Sequence, residues 1–144
     1  MSPYPLLTYF LFLITFYHSC RLGQLGANWK DFPAEFRATM EETLILRMNE
    51  FGIRNISAIL KGSVGMGYRW FNDVRLRDEL CSKMIEVYGG EIDGRALATT
   101  IYFIGKGGIK QHDLPEQVFK VLLDGLAKCK SSFDAQNIAN IFYG

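Results

Sequence analysis

Three glycines, Gly26, Gly67 and Gly108, stand at equal intervals of 41 residues, and each follows an apolar stretch with helical spacing. A period of that size restricts the fold to stacked units, because one such unit cannot bury its own apolar face and relies on its neighbours. Glycine suits the position. A helix that stops in the left-handed conformation strains any other side chain, so the three glycines are predicted to lie just past helix ends.

The same interval recurs in other columns. Asp31, Asn72 and Asp113 follow the glycines by five residues, and side chains of this kind accept hydrogen bonds from the free amides of a first helical turn. They predict the start of a helix A in each copy, with Trp29, Trp70 and Gln111 wedged in the turn before it. Gly52, Asp93 and Asp134 form a second column of N-cap types and predict a helix B. Phe51, Ile92 and Phe133 precede these caps, and Ile56, Leu97 and Ile138 follow four residues after them, which is the pattern of a hydrophobic staple.

Between the caps, apolar residues repeat every fourth position: Phe36, Met40 and Leu44, then Leu80, Met84 and Tyr88, then Val118, Leu122 and Leu126. This is a helical stripe. Ser57, Ala98 and Ala139 form a column of small residues suited to close approach of helices A and B. The chain is therefore expected to be all-α, an α-solenoid of antiparallel helix pairs without a sheet. Helix A is expected near 33–48, 74–88 and 115–129, and helix B near 53–65, 94–106 and 135–144. The units are 27–67, 68–108 and a truncated 109–144, so that the chain reads as a fragment of a longer array.

Residues 1–26 stand apart. Leu6 to Tyr17 is apolar and uncharged but too short to span a bilayer, which takes about 20 residues of helix. No membrane span is expected. No Lys or Arg precedes the stretch and no small-residue cleavage site follows it, so a packed helix, capping the array or left from a preceding unit, is favoured over a signal peptide. The three cysteines, Cys20, Cys81 and Cys129, form no pair at metal-ligand spacing and read as free, buried thiols.

No catalytic constellation is legible. His18 and His112 lie in different contexts, and the aspartates fall at helix starts, where capping explains them. Gly105-Lys106-Gly107-Gly108 lacks the order of a nucleotide-binding P-loop and ends a helix instead of opening one. The expectation is a non-enzymatic chain without metal or cofactor.

Two segments carry a resemblance. Leu22-Gly23-Gln24-Leu25-Gly26 with Trp29, Asp31 and Pro33, and Phe133-Asp134-Ala135-Gln136-Asn137-Ile138-Ala139-Asn140 with Tyr143-Gly144, resemble the octotricopeptide and related RNA-binding helical repeats of organelles. The likeness covers residues 21–144. It implies a module that binds single-stranded RNA in a mitochondrion or plastid, where such arrays serve RNA processing, stability or translation.

A net charge of +1 supplies no global field for nucleic acid, so any contact must be local. The candidates are polar positions on the early face of helix B: Arg54, Arg95 and Gln136; Asn55 and Asn137, with Ala96 between; Thr99 and Asn140, after Ala58; and Lys61, Tyr102 and Tyr143. A solvated helix face is the default reading of such a set. Helical-repeat readers nonetheless address one base with two or three side chains per repeat, using hydrogen bonds and stacking. No DNA is expected as partner. The competing reading is a protein-binding scaffold, whose affinity would be far less sensitive to salt than that of an RNA binder.

Overall fold

The structure, a computed structural model, describes residues 26–90, 92–129 and 133–143. The expected helix over residues 1–25 and the end of helix B at Gly144 lie outside the described residues. Among the described residues six α-helices follow one another: α1 (Ala34–Leu46), α2 (Ile53–Gly65), α3 (Val74–Tyr88), α4 (Gly94–Lys106), α5 (Glu116–Cys129) and α6 (Ala135–Tyr143). There is no strand among the described residues, and every helix start, and every stop from α1 to α5, falls within two residues of its expected limit.

The glycines do what their backbone freedom allows. Gly26, Gly67 and Gly108 have φ of 76°, 66° and 81°, and no other described residue has positive φ. After each, the chain makes one turn of 3-10 helix at Trp29–Asp31, Trp70–Asn72 and Gln111–Asp113. Asp31, Asn72 and Asp113 therefore close this short turn and do not cap helix A, as their spacing had suggested. The carboxylate of Asp113, for instance, accepts from the amide of Lys110, three residues earlier. The residues after the turn are extended, and α1 opens at Pro33 with no side-chain cap. In the second copy Val74 replaces that proline, and Asp73 caps α3 by accepting from Leu76 N at 3.1 Å.

The second column of caps is where the spacing put it. Gly52 and Asp93 flank α2 and α4, and Asp134 accepts from Asn137 N at 2.7 Å at the start of α6. Phe51, Ile56 and Leu97 are buried in the core and Ile92 and Phe133 pack against it, but Ile138 is 47 % exposed. The last residue of the third staple is thus not buried as its counterparts are, and the helix that α6 packs against most closely is α4.

Packing divides the helices into two sets. In one, α4 lies between α2 and α6, and in the other, α3 lies between α1 and α5; α2 meets α3 and α4 meets α5. The closer backbone approaches between the sets join α2 to α3 and α4 to α5, each a helix B with the helix A that follows it, instead of helices A and B of one unit. Gly125 of α5 explains one of them: a Cβ there would sit 3.0 Å from a terminal methyl of Leu97 and 3.1 Å from that of Ile92. The core is aliphatic, with Ile56, Leu60, Leu76, Leu80, Met84 and Leu97 inaccessible to solvent, and its buried hydroxyls are paired, Tyr88 with Thr100. Cys81 and Cys129 are buried, and burial pushes the Cys81 thiol up to about 11. No helix among the described residues is long and apolar enough to cross a membrane.

Candidate nucleic-acid interface

Helix α4 carries Arg95, Thr99, Tyr102 and Lys106 at steps of four, three and four residues, which places them on one face. Arg54, Ala58 and Lys61 occupy the matching positions on α2, and Gln136, Asn140 and Tyr143 those on α6. All are exposed or half-buried. Because α4 packs between α2 and α6, the three stripes lie side by side.

Two contacts fix their alignment. Arg54 Nε donates to Asp93 Oδ2 at 3.1 Å, which ties the start of α2 to the cap of α4. Tyr102 and Tyr143 stack with ring centroids 5.9 Å apart and planes inclined by 21°. Lys106 closes the stripe: its ammonium donates to Tyr102 Oη at 3.1 Å and lies 5.4 Å from the ring centroid. Lys106 was missed from the sequence, although its place four residues after Tyr102 was signal enough.

The other polar side chains are partly committed. Thr99 Oγ1 donates to the Arg95 carbonyl at 2.9 Å, and Gln136 Nε2 donates to Asn140 Oδ1 at 3.0 Å. Both pairs keep acceptor or donor capacity toward solvent. Asn55 and Asn137 do not join the face. Their side-chain oxygens turn back to accept from Gly52 N at 2.9 Å and Asp134 N at 3.2 Å, and Asn137 is buried. A residue three positions into a helix can satisfy a free amide in this way, so this column serves the fold.

Electrostatically the face is cationic where it is charged. Burial alone would raise the Asp93 carboxyl, but hydrogen bonds from Ala96 N, the Arg54 side chain and Arg95 N outweigh it and hold the group below the usual carboxylate range. Asp93 is thus an anion engaged by its neighbours, whereas Arg95, Lys61 and Lys106 make no ion pair among the described residues. No group of three His, Cys, Asp or Glu among the described residues is placed to hold a metal ion. No protein-family profile matches the chain, and no curated protein or solved structure is significantly similar to it.

Proposed function

We propose that the chain is a non-catalytic RNA-binding module in which helix pairs stack as an α-solenoid with a 41-residue repeat, and that single-stranded RNA lies across α2, α4 and α6. The observation that carries this reading is the Tyr102–Tyr143 stack: two side chains in equivalent positions of adjacent helices form an aromatic platform bordered by Lys106, with Arg95 two helical turns earlier on the same face of α4. Aromatic rings flanked by cations are what a flexible, unpaired strand needs, since bases stack on the rings and phosphates meet the charges. Arginine adds a planar fork that binds phosphate through two hydrogen bonds or lies flat on a base. A role in RNA processing, stability or translation within a mitochondrion or plastid follows from the octotricopeptide resemblance.

The test is a titration of the 144-residue protein with single-stranded RNA at two salt concentrations. Binding that weakens steeply with salt, and weakens further in Arg95→Gln, is expected. Absence of RNA binding by the parent protein would reject the reading in favour of a protein-binding scaffold.

A further inference from the structure

A groove of about 640 Å³ runs between the turn that follows α2 and the turn that follows α4. Its volume is typical of sites for small organic ligands, roughly 300 to 1,000 Å³, and exceeds what a lone inorganic anion fills. Gly67 and Gly108 line it, and their positive φ keeps side chains out: a Cβ on either would point into open space. Two of its lining positions thus carry no side chain, at the backbone turns that follow α2 and α4.

Its rim is cationic beyond the balance of the chain. Arg69, Arg77 and Lys106 line it with one carboxylate, Asp113, in a protein whose net charge is only +1. Asp113 is engaged by its own turn, through Lys110 N at 3.0 Å and His112 Nε2 at 3.4 Å. Arg69 and Lys106 make no ion pair among the described residues. Arg77 is paired with Asp78, Nε to Oδ1 at 3.5 Å, and holds its guanidinium carbon 5.5 Å from the centroid of the Phe71 ring, itself on the groove wall. Arg69 and Lys106, which pair with no carboxylate among the described residues, beside this cation–aromatic pair match a ligand with an anionic head and a planar body.

We propose that this groove binds a nucleotide, with Arg69 and Lys106 on its phosphate and the Arg77–Phe71 pair against its base. The inference deepens the RNA-binding reading and rests on it for one source of the ligand, because Lys106 ends the α4 stripe and borders the groove, leading a strand from one to the other. The other source is a free mononucleotide, which the same groups would hold. The contact differs from that of a P-loop, since side-chain cations and not the amides of a helix N-terminus meet the phosphate.

The experiment is calorimetric titration of the 144-residue protein with AMP, adenosine, pyrophosphate and an oligoadenylate. AMP is expected to bind, with adenosine and Arg69→Gln each weaker by on the order of tenfold, the scale of one charge-assisted hydrogen bond to phosphate. Pyrophosphate should bind more weakly than AMP. Arg95→Gln should leave AMP affinity unchanged while lowering that for the oligonucleotide. Failure of AMP to bind, equal affinity in Arg69→Gln, or pyrophosphate as tight as AMP would overturn the groove assignment. Oligonucleotide binding without AMP binding would overturn the groove alone, whereas AMP binding without oligonucleotide binding would uphold it and reject the strand across α2, α4 and α6.

Discussion

Arg54 reaches from α2 to the carboxylate that caps α4, placing its Nε 3.1 Å from Asp93 Oδ2. The pair has unequal halves. Arg54 is 86 % exposed, so solvent screens its contribution to stability to well under about 1 kcal/mol. Asp93 in addition accepts from Arg95 N at 3.0 Å and Ala96 N at 3.3 Å, and these bonds hold the helix start. A glutamate at position 54 would face Asp93 directly, so tests of RNA contact at this position call for Arg54→Gln.

Asp93→Ala is expected to lower stability by about 1 to 2 kcal/mol at neutral pH, the usual cost of losing an N-cap, while Arg54→Gln changes it by less than about 0.5 kcal/mol. The pH dependence has a definite sign. Because the folded-state pKa of Asp93 is lowered, its contribution is present above the ordinary carboxyl pKa and lost as pH falls through the lowered value. Urea denaturation at pH 7 and pH 2.5 should show the Asp93→Ala deficit shrinking in acid. A deficit that grows in acid would contradict the assignment.

Glu41 has the opposite sign. Burial raises its pKa; the Tyr68 hydroxyl, which donates to Glu41 Oε1 at 3.2 Å, offsets part of this, and the neighbouring Asp73 carboxyl raises it further. The folded state therefore binds this proton more tightly than the unfolded chain, and the stability it contributes is present in acid and lost as pH rises through the raised value. Glu41→Gln keeps an acceptor for Tyr68 and gives Asp73 a donor. It should raise stability against urea at pH 7, by less than about 1 kcal/mol given the partial exposure, and the gain should vanish near pH 3. A loss of stability at pH 7 would show that the carboxylate itself is needed.

Gly125 is where α5 meets Leu97 and Ile92, and two effects of similar size compete there. Alanine favours a helix by about 1 kcal/mol over glycine, while the new methyl must displace two flexible side-chain ends by a few tenths of an ångström. Gly125→Ala should fall within about 1 kcal/mol of the parent. Gly125→Leu cannot be accommodated in this way and is expected to lose about 2 kcal/mol or more. Thermal unfolding of the two variants checks this, and equal stabilities would mean that the helices do not approach at Gly125.

The helices were legible because the helix B caps, the first two staples and the apolar stripes agree with one another, which is what local consistency with a fold means in physical terms. What the sequence hid was finer. Asp31, Asn72 and Asp113 look like helix caps, yet a 3-10 turn intervenes and the αL glycine sets its direction. Asn55 and Asn137 look like surface readers because composition does not reveal that an N3 side chain has folded back on its own helix start. Arg69 and Phe71 lie in or next to a 3-10 turn and Arg77 in the first turns of α3, and they converge with Lys106 only through the packing of α4 beside α2. The stripe on α4 could be read as one face from spacing alone, but its register against α2 and α6 required the contacts Arg54–Asp93 and Tyr102–Tyr143.

The stacked tyrosines separate aromatic from ionic contributions to RNA binding. Tyr143 is 81 % exposed even while stacked on Tyr102, so its outer face is open to a base without any rearrangement of the pair. Removing the ring in Tyr143→Ala should weaken single-stranded RNA binding by on the order of tenfold, within the 1 to 3 kcal/mol attributed to stacking of one base. Tyr143→Phe keeps the ring and should bind nearly as the parent does. Neither change alters the number of phosphates neutralised, so the dependence of affinity on salt should stay the same in both. Arg95→Gln removes a cation, and the slope of log affinity against log salt should become shallower by about 0.7, the value for one ion released from a single strand. Anisotropy titrations of the four proteins over a range of salt resolve the two effects. A Tyr143→Ala variant with parental affinity would remove the tyrosine platform from the binding face, and an unchanged slope in Arg95→Gln would remove the arginine.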